Sequence, residues 1–258
     1  MNDVQTQPRA PLATRVSAAE WATRTDLAAC YRIAAHFRMT DLVYTHISAR
    51  VPGAEGHFLL NAYGLLFEEI TASNLVKVTL EGEVIDDETG LGINPAGYVI
   101  HSAIHGARHD VGCVMHSHTG AGLAVAAQRQ GLLPLTQHAM RFAGRLAYHD
   151  YEGIALDVDE RERLIADLGM HDAMILRNHG LLTCGATIRA AFDLMYYLER
   201  ACQAQVGAMG AGAELVIPPP AVAQKVAGQF ARPGRTAPDT QWAALLRMLD
   251  RTDPSYRA

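Results

Sequence analysis

The sequence predicts an α/β fold organised as one large domain, and three observations carry that reading. Segments with the apolar period of helices alternate with short β-rich runs along the chain. Gly53 and Gly56 mark a tight link between two of those runs, which implies antiparallel pairing at least locally. Of the 258 residues, 49% are hydrophobic and 19% charged, the profile of a globular chain with a sizeable core.

Each element has a local reason. Residues 1–16, with Pro8 and Pro11 and little periodicity, read as a disordered arm. Ser17 and Glu20 then resemble a capping box, and a helix is predicted through about Met39. Tyr44 to Val51 alternates like a strand, and His57 to Leu60 returns beside it. Thr71 to Leu75 reads as a helical turn, and Val76 to Val84 as a strand bent at Glu81 and Gly82. After the polar loop DDETGLG, an apolar helix is predicted over Ala96 to Ala107. The β-rich run VGCVMHSH ends near Gly120 and is followed by a helical stretch that stops at Gly131. Arg145 to Tyr148 reads as β, Asp159 to Leu168 as helix, AMILRNHGLLTCG as one strong strand, and Ile188 to about Met209 as a long amphipathic helix. The domain is thus placed at 17–217. Residues 218–258 form a Pro- and Ala-rich extension with one short helix near Trp242 to Leu249, a tail suited to packing on a neighbouring subunit or staying mobile.

Composition excludes several functions. The net charge of -5 and the scattered cations argue against nucleic acid as a partner. The only lysines, Lys77 and Lys225, leave few candidates for a Schiff base. Cys30, Cys113, Cys184 and Cys202 are far apart and read as reduced core residues of a cytoplasmic protein. The N-terminal segment has no apolar signal region and no stretch suits a membrane span, so a soluble protein with no membrane partner is expected.

The chemistry concentrates on histidines. Strand residues two apart share a face, so His116 and His118 can offer two imidazoles to one point. Twelve histidines in this chain give about 0.6 HxH pairs by chance, and the pair alone also fits two strand-end histidines, one hydrogen-bonded and one solvated. Its position before a glycine and a helix favours function. His179, in RNHG, ends another apolar run, and three imidazoles from two runs would leave coordination positions open, as a catalytic ion requires.

VGCVMHSHTGAGLAVAAQRQGLLPL, then LAYHDYEGIALD, then ILRNHGLLTCG, together resemble the class II aldolase and adducin family, in its adducin-like branch, over roughly residues 17–217. The resemblance implies a three-layer α/β/α fold around a central, largely antiparallel sheet, a homotetramer with active sites between subunits, and one divalent metal ion on His116, His118 and His179. Zinc is placed first, with iron(II) and manganese as alternatives.

The chain departs from the sugar-phosphate aldolases of that family. Counting back from His101, Gly97 stands where they carry the acid/base glutamate, and a shift of one residue gives Tyr98. Their phosphate-binding loops correspond here to Thr45-His46-Ile47-Ser48, Asn61-Ala62-Tyr63-Gly64 and Pro95-Ala96, which replace several hydroxyl and N–H donors. A non-phosphorylated hydroxy- or oxo-acid or carbonyl substrate is therefore expected. His46 and Tyr98 are the candidate proton carriers, and Tyr63, Gly64, Gly97, His138, Tyr148 and Tyr151 the candidate substrate-binding residues. His101 and His105 read as packing residues, and Glu199 with Arg200 as a solvated or interface pair. The leading expectation is a metal-dependent lyase of aldolase or decarboxylase type. A non-heme iron(II) oxygenase on the same fold and a non-catalytic adducin-like binding domain are the alternatives.

Overall fold

The computed structural model describes residues 10–153, 160–232 and 237–258. Eight strands form one sheet in the order β4-β3-β2-β1-β5-β8-β7-β6. They are β1 (His46–Arg50), β2 (His57–Asn61), β3 (Leu75–Thr79), β4 (Val84–Asp86), β5 (Cys113–Ser117), β6 (Ala147–His149), β7 (Ala173–Leu176) and β8 (Gly180–Gly185). Every neighbouring pair is antiparallel except β6 with β7, which is parallel. That exception needs a crossover, and α5 (Glu160–Leu168) lies within it.

Helices cover both faces. On one side α1 (Ala18–His36), α6 (Ile188–Gly210) and α8 (Ala237–Thr252) bury Leu27, Tyr31, Met195, Leu198 and Trp242 against Ile47, Met115, Ile175 and Leu181. On the other, α2 (Pro95–Ala107) and α5 pack Ile100, Ile104, Leu164 and Leu168 on Val114, Met174, Leu182 and Cys184. Successive residues of β5, β7 and β8 thus enter opposite cores, as the period of two demands. The result is the expected three-layer arrangement.

Several elements differ from the sequence reading. AMILRNHGLLTCG is not one strand but the hairpin of β7 and β8, because Asn178 turns the chain at φ 57° and Gly180 follows at φ 153°. The helix after the HxH pair, α3 (Gly120–Ala126), ends before Ala127, and a short α4 (Gln137–Met140), capped by Thr136, interrupts the next loop. Of the arm expected over 1–16, residues 1–9 lie outside the described residues. Its remainder is ordered, since Leu12–Thr14 forms a 3-10 turn with Leu12 buried and Arg15 pairs with Asp86 and Glu88. The predicted helix start at Asp159 also lies outside the described residues.

The extension contains two helices, not one. Pro220 opens α7 (Pro220–Phe230), where a missing N–H costs nothing, and Ala223 and Ala227 are its buried positions. Rather than projecting away, the extension packs on its own chain. Trp242, Leu249 and Tyr256 enter the main core, and Arg32 pairs with Asp253. No helix among the described residues is long and apolar enough to cross a membrane.

The layer beneath α2 holds an unusual polar group for a core. His101 and His105 are fully buried and both contact Ser48 Oγ, through Nδ1 at 2.6 Å and Nε2 at 2.8 Å. They therefore serve packing and hydrogen bonding, not a second metal. Burial holds the His101 imidazole well below its ordinary pKa and pushes His105 down to about 3. The unfolded chain then binds protons that the folded one refuses. Stability conferred by the neutral rings is complete above about pH 6.5 and is lost as pH falls from there toward 3, by up to about 1.4 kcal/mol per pH unit for each ring. Urea titrations between pH 7.5 and 4.5 should show that slope, and His105→Gln should flatten it. An unchanged slope in the variant would locate the acid sensitivity elsewhere.

Candidate metal centre

Sheet register brings the histidines together. In the β1–β5 pair His46 stands directly opposite His116, and in the β5–β8 pair His116 stands opposite Leu182. His118 follows two residues later on the same side, and the turn between β7 and β8 returns His179 to the same end of the sheet. The ring centroids of His116, His118 and His179 lie 4.7 to 5.0 Å apart, and one nitrogen from each falls within 4.8 Å of the other two. Among the described residues this is the one cluster suited to an ion.

Gly180 makes the approach possible. A Cβ there would lie 2.4 Å from the Ser117 carbonyl oxygen and 3.2 Å from the His118 ring, and its backbone angle disfavours any L side chain.

The hydrogen bonds fix which nitrogens face inward. His116 Nδ1 donates to the Leu181 carbonyl oxygen at 2.9 Å, and His118 Nδ1 donates to Asp41 Oδ2 at 2.9 Å. The two Nε2 atoms face each other at 2.9 Å, a hydrogen-bond distance when one of them carries a proton. Two lone pairs at that distance repel unless a cation lies between them. A tetrahedral ion with Zn–N bonds of about 2.0 Å would hold them about 3.3 Å apart. Burial, with the neighbouring imidazoles, holds His116 well below its ordinary pKa, and burial with His118 lowers His179 to about 4. His116 and His179 are neutral donors near pH 7, and the three-imidazole set fits a divalent ion with open positions.

A cavity of about 330 Å³ opens on this triad, with Tyr44, Thr45, His46, Asn94, Gly97, Ile100 and Tyr151 among the residues that line it. His46 Nδ1 donates to Asn61 Oδ1 at 2.9 Å, and burial pushes its pKa down to about 4. Its other edge fills the space above Gly97, where a Cβ would lie 2.2 Å from His46 Nε2. Position 97 can hold only glycine while His46 sits there. Thr45, immediately before it, adopts φ 66°, which a β-branched residue rarely tolerates, and its buried hydroxyl has no partner in the protein.

Other candidates lie elsewhere. Tyr98, one residue beyond Gly97, is carried about 100° round the helix. Its hydroxyl donates to the Leu80 carbonyl oxygen and its ring stacks on Phe58, so it braces the sheet and is not positioned to act in the cavity. Tyr148 accepts the Leu132 N–H at 3.1 Å and lies under Arg177, outside the cavity wall. His138 is exposed on α4 beside Tyr197, and Tyr63 and Gly64 are exposed at the end of β2, likewise outside that wall. Glu199 is buried and accepts from Thr119 Oγ1, the N-cap of α3, instead of facing solvent. Sequence reasoning missed Asp41, Asn61, Tyr44 and Asn94. Their only signal was a polar or aromatic residue in the short segments flanking β1, β2 and α2.

A family model, the class II aldolase and adducin N-terminal domain, matches residues 25–206. A provisionally named aldolase class 2 protein of Pseudomonas aeruginosa is 52% identical over 252 residues, covering 96% of each chain. Alpha-adducin of Rattus norvegicus is 41% identical over 252 residues, but this chain spans only 34% of it and itself is covered to 91%. The solved L-fuculose 1-phosphate aldolase of Glaciozyma antarctica superposes with a TM-score of 0.82 at 28% identity, over 98% of this chain and 96% of that one.

The orientation of His118 by Asp41 generates a graded expectation. By metal analysis of dialysed protein, His118→Ala should lose nearly all bound ion, and Asp41→Ala should weaken affinity about 10- to 100-fold. Normal occupancy in His118→Ala would remove the centre.

Proposed function

This chain belongs to the class II aldolase and adducin family, and on that premise we propose that it is a metal-dependent lyase acting on a non-phosphorylated hydroxy- or oxo-acid or carbonyl compound. The observation that carries the reading is the convergence of three imidazoles at the floor of an open cavity, two of them held through Nδ1 by the Leu181 carbonyl and the Asp41 carboxylate. His116, His118 and His179 would hold the ion, with zinc first and iron(II) or manganese as alternatives. A divalent ion there would polarise a substrate oxygen and favour cleavage of the adjacent carbon–carbon bond or decarboxylation.

The protein's own groups supply the rest. His46 is the proton carrier, its ring fixed by Asn61 and its Nε2 carrying the basic lone pair. The buried Tyr31 hydroxyl supports Asn61, lying 2.8 Å from its Oδ1. The cavity lining includes no lysine or arginine among the described residues, which disfavours a phosphate dianion. Arg50 is engaged with the carbonyls of His105, Arg108 and Val111, and Arg177 with that of Gln128. Family membership also supports a homotetramer, which sedimentation of the purified protein would test.

The likeness to alpha-adducin supports a second reading, a binding domain without catalysis. Protein purified without air, analysed for metal and incubated with oxo- and hydroxy-acids, separates the possibilities. Metal-dependent release of a cleavage product without oxygen uptake is expected. His46→Gln should lower kcat about 100-fold or more while leaving metal content unchanged. Oxygen consumption coupled to turnover would replace the lyase with an iron(II) oxygenase, and no turnover across the panel would favour the binding domain.

A further inference from the structure

The wall of the metal cavity names a substrate class more narrowly. Resting on the reading above, we infer that the substrate joins a metal-chelating oxygen pair to an uncharged aromatic or broad apolar group, which packs against Tyr44 and Tyr151.

The two tyrosines come from opposite sides of the histidine-bearing strands. Tyr44 precedes β1, which flanks β5, and Tyr151 follows β6, which lies beyond β8 and β7. Both nevertheless line the same cavity. The Tyr151 ring lies 6.1 Å from that of His179, and Tyr44 N–H donates to the backbone of Asp41, whose carboxylate orients His118. The Tyr151 ring is thereby set beside His179, while Tyr44 enters the cavity from the segment that carries Asp41. They are 47% and 53% exposed, so a large part of each ring is not covered by its own chain. Ile100 and Ala96 add apolar wall from α2.

Besides the triad, the polar side chains of the lining are Thr45, His46, Asn94 and the two tyrosines, and the first three suit the head of the molecule. His46 faces Gly97, and Asn94 is occupied in part by capping α2 through Ala96 N–H. Among the described residues of the lining no lysine or arginine stands to hold a second anionic group at the far end of a substrate. An aromatic or apolar body gains by leaving water for that wall, whereas a charged one loses hydration without finding a counter-charge.

Hydroxamates test this without requiring turnover, because the hydroxamate group chelates the ion and its substituent samples the wall. Metal-loaded protein should bind benzohydroxamate about tenfold or more tighter than acetohydroxamate by calorimetry. Tyr44→Ala and Tyr151→Ala should each reduce that ratio about threefold or more, chiefly by weakening benzohydroxamate, with acetohydroxamate affinity and metal content preserved. Equal affinity for the two hydroxamates, or a ratio unmoved by both substitutions, would overturn the substrate class while leaving the metal centre standing. A change confined to subunit association, with both affinities intact, would likewise overturn it and identify the tyrosines as contact residues. Failure of the protein to take up a divalent ion would sink the metal reading together with this one, whereas metal-loaded protein that binds neither hydroxamate would overturn this inference alone.

Discussion

The hydrogen-bonded register of β5 between β1 and β8 is the constraint on which the centre depends. It sets His46 across from His116 on one side and brings the Leu181 carbonyl to His116 Nδ1 on the other. A slip of one residue would turn His116 and His118 into the α1–α6 core and leave Met115 facing the cavity. The apolar residues that precede the histidine pair on β5 thus have a chemical role. Cys113, Val114 and Met115 anchor the strand in two cores and so hold the polar end in place.

Much of this was legible in the sequence, because it depends on local period and short motifs. The HxH spacing placed two imidazoles on one face, and the end of an apolar run marked His179 as a third. The alternation of helix and strand gave the layers. The hairpin inside AMILRNHGLLTCG was hidden because both arms are apolar and the turn rests on Asn178, a residue not confined to turns. Tyr98 misled for a related reason. Its neighbour reaches the cavity, but one step along a helix turns the side chain onto Phe58. The orienting groups Asp41 and Asn61 lie 77 and 15 residues from the histidines they bond, His118 and His46, and no local pattern ties them together.

The extension shows a different limit. Its prolines and alanines suggested a loose tail, yet three well-separated aromatic or aliphatic side chains, Trp242, Leu249 and Tyr256, return to the main core. Burial of a few large residues outweighs a composition that is otherwise poor in strand and core formers. Helix α8 helps complete the layer opposite α2, so the cavity wall that α2 supplies and the tail lie on opposite faces of the sheet.

The interlock of His46 with Gly97 makes the two positions a matched pair with unequal tolerance. Any side chain at 97 would collide with the imidazole, so the first turn of α2 accepts a larger residue only if position 46 is made smaller as well. A smaller residue at 46 alone meets no such conflict and leaves a void instead.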